Sequence, residues 1–185
     1  MTASLDSPPH DAPSTIRIGL ISDTHGLLRP EAMAMLEGSH FIVHAGDICE
    51  PSILAELSMI APVTAVRGNN DRGPWATRLC ETERLDIGGV HIFVVHDIAT
   101  CGVDPAKNGF DVVVSGHSHR PQCERRDGVL YVNPGSAGPR RFRLPVSMGT
   151  LAIDAGRVSV ELFSLDVESP HGQAIHAPAG HRIET

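Results

Sequence analysis

Five short apolar runs in this 185-residue chain end directly in side chains that bind divalent metals. Residues 16–22 lead into Asp23 and His25, 41–46 into Asp47, 63–68 into Asn69, 90–95 into His96, and 111–116 into His117 and His119. Runs of this length, rich in Val and Ile, predict strands. When the strands of an open sheet run mostly parallel, their carboxyl ends share one edge, and ligands bind in the crevice beyond it. Residues distant in sequence therefore converge on one rim. The seven donors mix oxygen with imidazole nitrogen, too many for one tetrahedral ion and right for two.

Between the runs the pattern alternates. Helices are predicted over 30–37 and 51–59, with Pro30 suited to a first helical turn and Pro62 closing the second segment. A weaker helical stretch follows at 75–80, so the first half reads βαβαβ with parallel strands and right-handed crossovers. The second half reads as three hairpins turning at Gly88-Gly89, Asp127-Gly128 and Ala155-Gly156. Together these predict an α/β fold of two mixed sheets packed face to face with helices outside. Residues 1–14 read as a disordered lead-in, 15–165 as a single domain, and 166–185 as an irregular tail whose His171, His176 and His181 are solvated.

Charge and cysteine usage narrow the function classes. A net charge of -7 argues against a protein that coats nucleic acid or anionic membrane. The four cysteines are scattered without a C-x-x-C pair, and the N-terminus, with Asp6 and Asp11 among prolines, has no apolar signal core. Reduced thiols in the cytoplasm are expected. No apolar stretch approaches the roughly 18 residues of a membrane span. The partner expected is a small substrate, with nucleic acid entering only as a substrate and self-association left open.

Two divalent ions sharing a carboxylate clamp a phosphoryl group for in-line displacement and make hydroxide available at neutral pH. Gly46 and Gly116, each directly before a donor, fit a backbone that must turn sharply and approach closely there. The blocks Asp23-Thr24-His25, Gly46-Asp47, Gly68-Asn69-Asn70-Asp71, His96 and Gly116-His117-Ser118-His119, in this order, resemble the calcineurin-like metallophosphoesterase superfamily. The likeness spans about 16–163 and is nearest its small bacterial and archaeal phosphodiesterases, which share Asn133-Pro134-Gly135-Ser136. It implies a four-layer αββα sandwich. It also implies that Asp23, His25 and His119 hold one ion, that Asn69, His96 and His117 hold the other, and that Asp47 bridges. The activity implied is hydrolysis of phosphate diesters by a metal-bridging hydroxide, with Asp47, Asn69, Asn70 and Asp71 as catalytic residues. Mn(II) is the favoured metal, with Mg, Fe, Ni or Zn open.

Two positions depart from the pattern. Where many relatives carry His after the metal-binding Asn, this chain has Asn70, which offers no titratable proton to a leaving group. Asp97 follows His96 where relatives often carry Gly, and reads equally as a partner of a ligand imidazole or as a solvated carboxylate. Candidate substrate contacts are Asn70, Arg72, Asn133, Arg140 and Arg141, the arginines because guanidinium pairs bidentately with phosphate, while the resemblance also implies that Asn133 orients a neighbouring ligand. His44, inside a strand, reads first as a hydrogen-bonded core histidine and second as a support of the site, and Cys49 as a small packed thiol. The alternative to an enzyme is a scaffold of this fold that works by binding protein partners, as a retromer subunit does. A nucleic-acid module built on Arg140 to Arg143 is weaker, given the acidic net charge.

Overall fold

A computed structural model describes residues 15–141 and 143–165. The predicted lead-in and tail, with His171, His176 and His181, lie outside the described residues. β1 (Thr15–Ile21), α1 (Pro30–Leu36), β2 (Phe41–His44), α2 (Pro51–Ser58) and β3 (Val63–Ala65) form the first half. They are followed by β4 (Thr82–Ile87), β5 (Val90–Val95), β6 (Val112–Val114), β7 (Gln122–Arg126), β8 (Val129–Asn133), β9 (Ser147–Asp154) and β10 (Arg157–Ser164). One sheet has the order β10-β9-β1-β2-β3 and the other β4-β5-β6-β8-β7.

Both sheets are mixed. β1, β2 and β3 run parallel, as do β5, β6 and β8, and each predicted hairpin is an antiparallel pair, through which β9, β4 and β7 run against the other strands of their sheets. The hydrophobic period of two explains the layering. Ile18 and Leu20 of β1 point between the sheets and meet Val43, Ile92, Val94, Val112, Val114 and Leu151, all buried. Ile21 points the other way, into a layer with Leu36 of α1 and Ile53 and Leu57 of α2.

Each helix opens with proline, whose fixed φ suits the first turn and whose missing N–H is not needed there. Both helices cover the first sheet. Over the outer face of the second sheet, Ile98, Cys101, Val103 and Phe110 pack on Phe93, Val95 and Val113. Among the described residues this fourth layer is built of turns rather than α-helix, since the 97–110 segment carries Pro105, Gly102 and Gly109. The 75–80 stretch is a single 3-10 turn, Ala76–Arg78. No helix among the described residues is long and apolar enough to cross a membrane.

Candidate metal centre

The ends of β1, β2, β3, β5 and β6 meet at one rim, and all seven predicted donors sit there. His119 Nε2 lies 3.2 Å from Asp23 Oδ1 and 3.2 Å from His25 Nε2, which is 3.8 Å from the same carboxylate oxygen. Asp47 Oδ2 lies 3.7 Å from His25 Nε2 on one side and 3.5 Å from His96 Nε2 on the other. Asn69 Oδ1 completes the second group, 3.1 Å from both His96 Nε2 and His117 Nδ1. Donors that share an ion at bonds of roughly 2.1 Å stand about 3.0–3.5 Å apart, so most of these spacings are those of a ligand shell.

The buried atoms fit a cation. Asp23 Oδ2 accepts hydrogen bonds from Ser22 Oγ (2.7 Å) and the His117 N–H (3.1 Å), whereas buried Asp23 Oδ1 has no hydrogen-bond partner and faces the two imidazoles. A buried anionic oxygen left bare is strongly unfavourable unless something positive meets it. His96 donates Nδ1–H to the Ala45 carbonyl (2.8 Å), which turns the Nε2 lone pair to the site. His119 Nδ1, by contrast, is buried without a partner.

The local backbone is unusual in a repeated way. Asp23 and His25, Asp47 and Cys49, and His117 and His119 all have positive φ, between 46° and 66°. Left-handed backbone in non-glycine residues costs of order 1–3 kcal/mol each and gathers at functional sites. Here three loops use the same two-residue spacing to aim side chains at one point. Gly46, at φ +92°, makes the sharp turn expected of it. Gly116 serves close approach only, since a Cβ there would sit 2.1 Å from Ser22 Oγ.

Electrostatics follow the crowding. Burial pushes the Asp47 carboxyl up, but His96 and the two nitrogens of Asn70 outweigh it and hold Asp47 well below the usual carboxylate range. The Asn70 N–H donates to Asp47 Oδ1 (2.7 Å) and its side-chain amide to Asp47 Oδ2 (2.6 Å). Burial lowers the His25 imidazole against the pull of Asp47. For His96 burial acts downward too, yet Asp47, the Ala45 carbonyl and Asp23 raise it overall.

Two expected site residues stand behind the rim rather than in it. Asp71, expected among the catalytic groups, spends both carboxylate oxygens on the backbone N–H groups of Asp47 (3.0 Å), Gly68 (2.8 Å) and Cys49 (2.7 Å), tying the β2 and β3 loops together. Asn133, expected at the substrate, donates to the Gly116 carbonyl (2.6 Å) and Ser118 Oγ (3.1 Å) and accepts from the Gly135 N–H (2.9 Å), so it shapes the His117 loop. Arg141 reaches the site, with Nη2 3.3 Å from His25 Nε2. Arg72 and Arg140 are exposed.

Further residues support the rim from behind. Buried His44 accepts the Gly46 N–H on Nδ1 (3.2 Å), so Nε2–H donates to Thr24 Oγ1 (3.0 Å), the residue between Asp23 and His25. That burial lowers the His44 imidazole to about 4. Cys49 Sγ lies 3.6 Å from His25 Nδ1, and burial with Asp71 and Asp47 nearby pushes its thiol up to about 11. The signal was present, since Asp47-x-Cys49 repeats the spacing of Asp23-x-His25. Asp97 Oδ2 stands 3.9 Å from His117 Nε2, on the side of the ring away from Asn69.

Comparison with known proteins agrees with this geometry. The calcineurin-like phosphoesterase superfamily domain matches residues 16–156. A probable metallophosphoesterase of Methanothermobacter thermautotrophicus is 35% identical over 156 residues, covering 78% of this chain and 90% of that one. Phosphodiesterase YfcE of Escherichia coli is 31% identical over 170 residues, covering 75% and 89%. Among solved structures, Vacuolar Protein Sorting 29 of Cryptosporidium parvum superposes with a TM-score of 0.74 at 20% identity, covering 88% of this chain and 96% of that one. A solved archaeal phosphodiesterase gives 0.61 at 24% identity, covering 80% and 99%, and both likenesses concern the fold. With its ordered donor blocks, its two-sheet architecture and this match, the chain belongs to the calcineurin-like phosphoesterase superfamily.

Proposed function

We propose that the chain is a phosphodiesterase that works with two divalent ions, Mn(II) favoured. The observation that carries this is the unbroken chain of donor contacts from His119 through Asp23, His25, Asp47, His96 and Asn69 to His117, with a bare carboxylate oxygen in it. The name of the relative YfcE, a phosphodiesterase, supports a diester as substrate. The overall reaction adds water across one P–O ester bond and yields a phosphate monoester and an alcohol.

Bound at the rim, two ions supply a water nucleophile at neutral pH and neutralise charge on the phosphate oxygens. Asp23, His25 and His119 would hold the first, and Asn69, His96 and His117 the second. Asp47, kept ionised and gripped by Asn70, stands between them. Arg141, beside His25, pairs with a phosphate oxygen as the substrate enters. Asp71 and Asn133 keep the loops at their spacing. Asn70 has no proton to give the departing alcohol, and general-acid help is typically worth about 10²–10⁴ in rate. Diesters with good leaving groups are therefore turned over faster than alkyl esters. The scattered free thiols Cys49, Cys80, Cys101 and Cys123 accord with a reducing cytoplasm.

The test is hydrolysis of bis(p-nitrophenyl) phosphate and a panel of nucleotide diesters after Mn(II) reconstitution. Turnover that metal chelation abolishes is expected; a fully loaded sample inert on the whole panel contradicts the proposal. The scaffold reading rests on Asn70 standing where relatives carry His. A pull-down separates the two, because a scaffold keeps its partners in Asp47→Asn whereas an enzyme loses turnover.

A further inference from the structure

Beside the second donor group the rim opens into a cleft of about 410 Å³. Asn69, His96 and His117 belong to its lining, so whatever occupies it is continuous with the phosphate position. The rest of the lining includes Arg67, Glu81, Thr82, Asp97 and Thr100. It is assembled from the loops that follow β3, β5 and β6 and from the start of β4.

Three features of this lining select for chemistry. Arg67 is ion-paired with Glu81 at 2.5 Å, so the one cation of the lining is already matched. Asp97 is not matched in this way: Oδ1 accepts the Ala99 N–H (3.0 Å), while Oδ2 has only the His117 ring edge at 3.9 Å. Beyond the imidazoles, no aromatic side chain lines the cleft, so a nucleobase finds no surface on which to stack. Charge also differs across the site, since the guanidinium of Arg141 flanks His25 and the carboxylate of Asp97 flanks His117. An anionic group is drawn to the first flank and repelled by the second.

Resting on the phosphodiesterase reading, we infer that this cleft receives one ester substituent of the diester, and that this substituent is a small non-aromatic alcohol residue bearing hydroxyl or ammonium donors. Its donors face Asp97 Oδ2 and the hydroxyls of Thr82 and Thr100. Residues of the glycerol or ethanolamine kind fit; carboxylated or phosphorylated substituents and nucleosides do not.

The experiment uses p-nitrophenyl phosphodiesters that share one leaving group and differ only in the second substituent: 2-aminoethyl, 2,3-dihydroxypropyl, 2-carboxyethyl and thymidin-5′-yl. With the Mn(II)-loaded enzyme, kcat/KM for the first two should exceed that for the carboxyethyl ester about tenfold, and the thymidinyl ester should gain nothing over the dihydroxypropyl ester. In Asp97→Asn the ratio of aminoethyl to carboxyethyl should fall below about threefold. Because both rates pass through the same metal centre, the ratio is insensitive to any change in metal loading. Calorimetry adds a readout free of turnover: 2-aminoethyl phosphate should bind more tightly than 2-carboxyethyl phosphate, less so in the variant. A carboxyethyl or thymidinyl ester preferred by the wild type, or a ratio unchanged in Asp97→Asn, would overturn the inference. If no ester is hydrolysed the phosphodiesterase reading fails, while the calorimetric preference still decides the cleft.

Discussion

The two halves of the metal centre are built from one rim but not to one standard. Asp23, His25 and His119 sit deep, with side chains 0%, 10% and 7% exposed, and include a full carboxylate charge. The other half has a neutral amide, Asn69, and the 48% exposed His117, with only His96 buried. Anionic donors in a low-dielectric setting bind a cation more strongly than neutral donors in contact with water. On the proposed two-ion reading, the first half would be the tight site and the second the exchangeable one, open to the cleft where a substrate substituent would lie.

Asp47 faces both halves, so its loss should be the largest effect. Asp47→Asn is expected to lower kcat/KM on bis(p-nitrophenyl) phosphate by about a thousandfold or more, near 4 kcal/mol of barrier. A loss below tenfold would mean the halves do not depend on a shared carboxylate.

Next in size is an acid sensitivity located under the first half. His44 has a folded pKa of about 4 against 6.5 in the open chain, so between those values the unfolded state binds a proton that the folded state excludes. Stability of the metal-free protein should be unaffected by this group above pH 6.5 and fall as pH drops toward 4, by about 3 kcal/mol in all. Urea unfolding at pH 7 and pH 4.5 in wild type and His44→Gln measures it. An equal acid loss in both proteins would assign the effect elsewhere.

The asymmetry itself is tested by metal titration. Asp23→Asn should weaken the tighter of two binding events by about 10–100-fold and leave the weaker one in place, whereas Asn69→Asp should tighten the weaker one by about tenfold. Two equal sites in the wild type, followed by isothermal titration, would break the comparison. Smallest is the gain expected from Asn70→His. On alkyl diesters it should raise kcat by about tenfold, below the usual range for a general acid because the substitution also removes the amide that holds Asp47. No gain at saturating metal would mean that a missing proton donor is not what limits those substrates.

How much of this was legible follows from what is local. Each donor follows its strand within one to five residues, so the strand pattern alone brought all seven together. The hairpins were visible through Gly88-Gly89 and Asp127-Gly128 for the same reason. Groups acting across space were not visible. Asp71 reads like a catalytic residue beside Asn69, yet its carboxylate is saturated by three backbone amides from two loops. Asn133 was legible only as an ambiguity, a substrate contact or a support for a neighbouring ligand, and its hydrogen bonds to the loop after β6 favour the second. The positive φ of Asp23, Asp47 and His117 leaves no compositional trace, because these residues are strained where glycine would be relaxed. The outer layer over β5 and β6 escaped expectation as well, since turn residues rather than a helical period supply its apolar contacts.

The most direct test is anomalous diffraction from crystals of the protein soaked in Mn(II). Two peaks are predicted, about 3.5–4 Å apart, one on each side of the Asp47 carboxylate, with the peak at Asp23, His25 and His119 the fuller. A rim without bound manganese at saturating concentration, or a single ion touching neither Asp23 nor His96, would contradict the account.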